Sequence, residues 1–157
     1  MAGKPMGWAI PFAYDAVEVA ANRAVGFPVW DDESDHFIMA KGVASLASGD
    51  AVTIEAAFAL VRATKAQIDK LYSVGAARAG AVAAEFCFVQ VYGLGKGGGI
   101  KTLASAAAEV AIYSSATAGS VDDDATAQTK ILRLFLTTAT GGSAAVNAAT
   151  HLMYPSA

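Results

Sequence analysis

Glu85-Phe86-Cys87-Phe88-Val89-Gln90-Val91-Tyr92-Gly93 decides how the chain is read. β-Branched and aromatic residues crowd the run, and no turn former interrupts it before Gly93. Such residues fit a pleated, half-buried surface, so this stretch predicts a strand. Cys87, set between Phe86 and Phe88, reads as a sheet or core residue and not as a poised thiolate.

Working outward, the punctuation is frequent. Upstream, residues 71–77 read as a strand, as do Ala51-Val52-Thr53-Ile54 and Phe37-Ile38-Met39-Ala40. Ser48-Gly49-Asp50 is a turn between the last two. Downstream, residues 100–103, 110–113, 130–136 and 151–154 are further strand candidates, the last stopping at Pro155. Turns recur about every 8–12 residues, the spacing of a sandwich or barrel. The expected fold is therefore mainly β: a small sandwich or barrel-like domain with room for one short helix. Residues 55–72 are open, satisfying either an amphipathic helix or a hairpin through 58–63 followed by a linker. Local propensity favours helix at 106–109 and 144–149, where alanine dominates, although tertiary context often overrides that preference.

The N-terminal stretch differs from the rest. Residues 1–33 hold three of the four prolines and both tryptophans. Prolines at this density resist a long helix and favour extended backbone. The expected organisation is an extended arm over 1–36 and a β-rich domain over 37–157. The arm lies either on a partner or on its own domain, and its contact candidates are Trp8, Ile10, Pro11, Phe12, Tyr14, Phe27, Pro28 and Trp30.

Composition narrows the function classes. The 157 residues carry a net charge of −3, with 16% charged and 55% hydrophobic residues, 37 of them alanine. A weakly charged surface suits a protein that buries area against partners. Basic residues form no patch, so no nucleic-acid footprint is expected. No apolar stretch reaches the roughly 20 residues of a membrane span, and no secretory leader is expected at Met1. The single cysteine permits no internal disulfide.

Motifs with chemical content are few. Gly93-Leu94-Gly95-Lys96-Gly97-Gly98 satisfies G-x-G-x-x-G after a strong strand. Too few residues follow for the remaining βα units of a dinucleotide fold, so a glycine-rich hairpin loop is the preferred reading. Asp31-Asp32-Glu33-Ser34-Asp35-His36 lacks the ligand spacing of a calcium loop and reads as a solvated acidic turn, as does Asp122-Asp123-Asp124. His36 and His151 stand far apart with no ligand partner in spacing, so no metal or other cofactor is expected.

The order of motifs then carries a resemblance. Gly49-Asp50-Ala51-Val52-Thr53 comes first, then Val74-Gly75-Ala76-Ala77, then Val89-Gln90-Val91-Tyr92-Gly93. Val110-Ala111-Ile112-Tyr113 and Thr117-Ala118-Gly119-Ser120-Val121-Asp122-Asp123 come after, and finally residues 144–155. Over roughly residues 40–155 this resembles the capsid decoration, or cement, proteins of tailed bacteriophages with HK97-type shells. Where those proteins carry a Gly-Val-Ala strand this chain has Val-Gly-Ala-Ala, a slight departure, and the N-terminal arm is not covered. The resemblance implies a β-rich, commonly trimeric virion protein with no enzymatic activity. It implies a place on the outer surface of the expanded shell, bridging neighbouring capsomers. The implied partners are the major capsid protein and further copies of the chain. Two rival readings are another virion component, such as a head-fibre base or tail module, and a small nucleotide-binding α/β domain using the Gly93 loop.

Overall fold

The computed structural model describes residues 17–18, 25–30, 35–70, 72–93, 99–103, 105–126, 128–131, 134–140, 146–148 and 150–152. Thirteen short strands run through them: β1 Val17–Glu18, β2 Pro28–Trp30, β3 His36–Gly42, β4 Ala51–Ile54, β5 Ala59–Arg62, β6 Ser73–Ala77, β7 Phe86–Tyr92, β8 Ile100–Thr102, β9 Tyr113–Ser114, β10 Val121–Asp122, β11 Leu134–Leu136, β12 Val146–Ala148 and β13 Thr150–Leu152. The expected mainly β architecture is present. β7, β6, β4, β5 and β3 pair in that order, and β3 returns to pair with β7, closing a five-stranded barrel. Only the β3–β5 contact in it is parallel.

Barrel diameter grows with strand number, so five strands leave a narrow interior. Alternation along each strand sends one set of side chains inward: Ile38 and Ala40, Val52, Leu60, Ala77, Cys87 and Val89, closed by Leu46, Ala79 and Ala81. The alanine content is thus partly a packing requirement, because bulkier residues at Ala40 or Ala77 would overfill the lumen. On the outside of β4 and β6, Ala51, Val74 and Ala76 pack with Ile100, Ile112, Val121, Ile131, Leu134 and Leu136. These belong to a second layer, the sheet β12-β8-β10-β9 and the pair β11-β13. On the outside of β3 and β7, Phe37, Met39 and Phe88 form a third cluster, flanked by Val29 and Phe86.

The open stretch 55–72 divides itself. Glu55 is followed by a 3-10 turn, Ala56–Phe58, then β5, then a short helix α1, Lys65–Ile68. Thr64 caps that helix, its hydroxyl accepting from the Gln67 amide at 3.5 Å. The helix expected at 106–109 does not form. Ser105 and Glu109 sit at φ 63° and 58°, and the Glu109 amide, which a helix would bond to the Ser105 carbonyl, donates to the Leu136 carbonyl at 3.0 Å. Thr140 Oγ1 accepts from the Ala106 amide at 3.0 Å, and Asp123 Oδ2 from the Ala107 amide at 2.9 Å. Within 144–149, Val146–Ala148 pairs antiparallel with β8 instead of coiling. The candidate at 110–113 moves to Tyr113–Ser114.

The described parts of the N-terminal stretch lie on the domain itself. Val17 and Glu18 pair with Cys87 and Phe86. Pro28, Val29 and Trp30 pair with Ile38, Phe37 and His36. A division at residues 36 and 37 therefore runs through β3.

Candidate functional site

Among the described residues β2 is the last strand of its sheet. Pro28 opens it, the position an edge strand tolerates because proline donates no ladder bond. Val29 turns toward Phe37, Met39 and Phe88. Around that anchor, Phe27 is 66% and Trp30 59% exposed.

Two contacts shape this face. Gly26, at φ +79°, donates its N–H to the Met39 carbonyl at 2.8 Å. The Phe58 ring lies directly over it, so close that a β-carbon at Gly26 would meet Phe58 Cζ at 2.1 Å. Phe58 is 40% exposed and is delivered by the turn between β4 and β5, in which Ala57 and Phe58 adopt φ 55° and 56°. Trp30 stacks on His36 with centroids 4.5 Å apart and planes at 8°, and His36 meets Tyr92 at 4.8 Å. The result is an aromatic column across β2, β3 and β7, the cross-strand pairing that stabilises sheets.

Of the contact candidates read from sequence, Pro28 and Trp30 lie on β2 and Phe27 directly before it. Trp8, Ile10, Pro11, Phe12 and Tyr14 lie outside the described residues. Phe58 was legible to no pattern, because its place depends on two left-handed residues that are not glycine.

A second cluster holds the layers together. Asp50, only 1% exposed, accepts from Arg62 Nε at 2.8 Å and from the Ala47 amide at 2.9 Å, while Lys101 Nζ lies 3.7 Å from its other oxygen. Gly119, at φ +82°, fits against it, since a β-carbon there would stand 3.1 Å from the carboxyl carbon. The Gly119 carbonyl accepts from Ala51 at 2.8 Å, and its N–H donates to Ala63 at 3.0 Å. The Gly49-Asp50 and Ala118-Gly119-Ser120 motifs thus meet at the seam between barrel and second layer.

Residues 94–98 of the glycine run lie outside the described residues. Among the described residues strand β8 comes after the run, with turns beyond it, and no helix N-terminus is there to receive a pyrophosphate. Gly93 itself has φ +114°, and the Asp35 carboxylate occupies the space a β-carbon would need. Asp35, expected to be solvated, is buried. Its neighbours 31–34 lie outside the described residues. Asp122 is partly buried, and desolvation raises its carboxyl above the usual range. Asp124 sits low, held by the Thr126 amide and hydroxyl. Among the described residues no group of three His, Cys, Asp or Glu side chains is placed to hold a metal.

Burial, with a smaller contribution from Glu85, pushes the Cys87 thiol up to about 11. At pH 8 only roughly one such thiol in a thousand is ionised. Native chain at that pH is expected to resist Ellman's reagent for hours, and urea-unfolded chain to react within minutes. Fast reaction of the native chain would place Cys87 outside the barrel lumen.

The chain matches no protein-family model, no curated protein and no solved structure.

Proposed function

We propose that this chain is a structural virion protein, a decoration protein that binds the outside of a tailed-phage shell and braces neighbouring capsomers. Its partners on this reading are the major capsid protein and further copies of itself, as a trimer, and it needs no cofactor. The observation that carries the reading is the pair of exposed aromatics at a short edge strand, Phe27 and Trp30, each more than half exposed. Large aromatics on view are what interface hot spots are made of. The motif order supports it too, because the motifs shared with decoration proteins include those at the barrel–layer seam.

The test is copy number. Quantitative mass spectrometry of sedimented particles should give this chain and the major shell protein at a ratio near one to one. A few copies per particle moves it to a fibre, vertex or tail, and absence from particles overturns the reading.

The face itself makes a further prediction. Phe27→Ser with Trp30→Ala is expected to weaken binding to expanded, undecorated shells by about 30-fold or more, since hot-spot truncations cost about 2 kcal/mol or above. The melting temperature should fall only a few degrees, as the stacking on His36 is worth about 0.5–1.5 kcal/mol. Co-sedimentation titration reads the first and calorimetry the second. Undiminished shell binding would show that this face points elsewhere.

A further inference from the structure

We infer that β2 is a strap, latched onto the barrel by the Phe58 ring, which opens as a unit while the barrel stays closed. Its own hold is slight. Among the described residues β2 is three residues long and ends its sheet, and Pro28 brings no N–H to the ladder with β3. From Phe27 to Trp30 only Val29 packs into a cluster, against Phe37, Met39 and Phe88. The Trp30 stack on His36 and the Gly26 N–H bond to the Met39 carbonyl add to this. Segments with so few buried apolar contacts open below the free energy of global unfolding.

Phe58 supplies what β2 lacks. Cζ, Cε1 and Cε2 of its ring all lie where a β-carbon at Gly26 would go, so the ring is set face-on against the bare backbone. It reaches there from another part of the sheet. The turn between β4 and β5 is closed by the Glu55 N–H to the Ala59 carbonyl at 2.9 Å and the Phe58 N–H to the Glu55 carbonyl at 3.1 Å. To deliver the ring, Ala57 and Phe58 both take left-handed backbone, which residues with a β-carbon avoid. Seating the ring offsets that strain, and the strain works to lift it. Their balance sets how often β2 is open. Opening uncovers the His36–Ile38 edge of β3 and the Phe37, Met39 and Phe88 cluster, whereas latching holds Phe27 and Trp30 in place on the edge. A partner that needs one of the two forms binds in proportion to its population. The latch stands whether or not this face docks on a shell.

The test is amide exchange on the full-length, isotope-labelled chain. The Gly26 amide reports on the strap. The Ala77 and Arg78 amides, which donate to the Asp50 and Phe88 carbonyls, report on the barrel. Protection at Gly26 should be at least about tenfold lower than in the barrel and nearly indifferent to about 1 M urea, because a local opening exposes little surface. Phe58→Ala should lower Gly26 protection about tenfold further and barrel protection by less than about threefold. Phe58→Tyr keeps the ring face and should leave Gly26 unchanged. Ala57→Gly accepts the left-handed backbone freely without touching the ring, and should raise Gly26 protection about threefold. Equal protection at Gly26 and in the barrel overturns the proposal. So does a Phe58→Ala variant that leaves Gly26 unchanged, or that lowers strap and barrel by the same factor, since Phe58 is then no latch. A loss in Phe58→Tyr as large as in Phe58→Ala overturns the face-on seating, and indifference of Gly26 to Ala57→Gly overturns the opposition of strain and latch.

Discussion

Gly75→Ala is expected to destabilise the chain by about 3 kcal/mol, at the upper end of what overpacking one methyl group costs. Gly75 lies in β6, opposite Val52 of β4, on the strand face that also carries the lumen residue Ala77. A β-carbon there would stand 2.5 Å from Val89 Cγ1 and 2.7 Å from the Gln90 carbonyl oxygen. The methyl group has some freedom to turn away. The carbonyl does not, because β7 is held by pairing to β6 on one side and β3 on the other. Relief therefore requires β6 and β7 to part, which opens the barrel where it is tightest. For a chain of this size the melting temperature should fall by roughly 6–12 °C. Gly80→Ala is the control: it is exposed, its nearest obstacle is the Leu46 carbonyl at 3.2 Å, and it should cost under about 1 kcal/mol. Urea unfolding of both variants decides the matter. Equal stabilities would mean that β6 does not close the barrel against β7.

Gly75 also marks the limit of what the sequence discloses. A glycine inside a strand pattern signals a close backbone approach. Nothing in the chain says that the approaching groups are Val89 and Gln90. The strands themselves were readable where β-branched and aromatic residues concentrate. Phe86–Tyr92 and Ala51–Ile54 lie where the composition puts them. Reading failed where alanine governs. At 106–109 propensity favours helix, but Ser105 and Glu109 take left-handed backbone and the Leu136 carbonyl, far along the chain, claims the Glu109 amide. A single-residue preference of a few tenths of a kcal/mol does not outweigh such contacts. The proposed interaction face was half legible. Phe27, Pro28 and Trp30 stand out as aromatics and proline in a terminal stretch, whereas Phe58 joins them only through the packing of its ring on Gly26. The Asp50 cluster was invisible beyond its turn, because its partners Arg62, Lys101 and Gly119 come from three separate segments.

That cluster carries the second large effect. Asp50→Ala should cost about 3 kcal/mol, and the loss should be uneven across the fold. The carboxylate ties four segments: the Ala47 amide, Arg62 of β5, Lys101 of β8 and the turn at Gly119. Removing one member of a fully buried ion pair costs about 3–5 kcal/mol, because the other charge is stranded away from water. Here the side chains of Arg62 and Lys101 remain 41% and 36% exposed, so both cations are free to turn toward solvent. The cost is therefore at the low end of that range, made up of lost charge-assisted hydrogen bonds and the small void left beside Gly119. Asp50→Asn keeps the volume and one acceptor, and should cost about 2 kcal/mol. The double variant with Arg62→Ala should lose less than the sum of the singles by about 1 kcal/mol, the coupling of the pair. Amide exchange locates the damage. Protection should fall first at Lys101, which donates to the Gly49 carbonyl at 2.7 Å, and at Ala51 and Gly119, which bond across the same seam. The β3–β7 amides should hold until global unfolding, since none of the residues in their ladder bonds to Asp50. A uniform loss of protection, or none at the seam, would mean that the second layer is held by its apolar contacts with Ala51, Val74 and Ala76 and not by the Asp50 ion cluster.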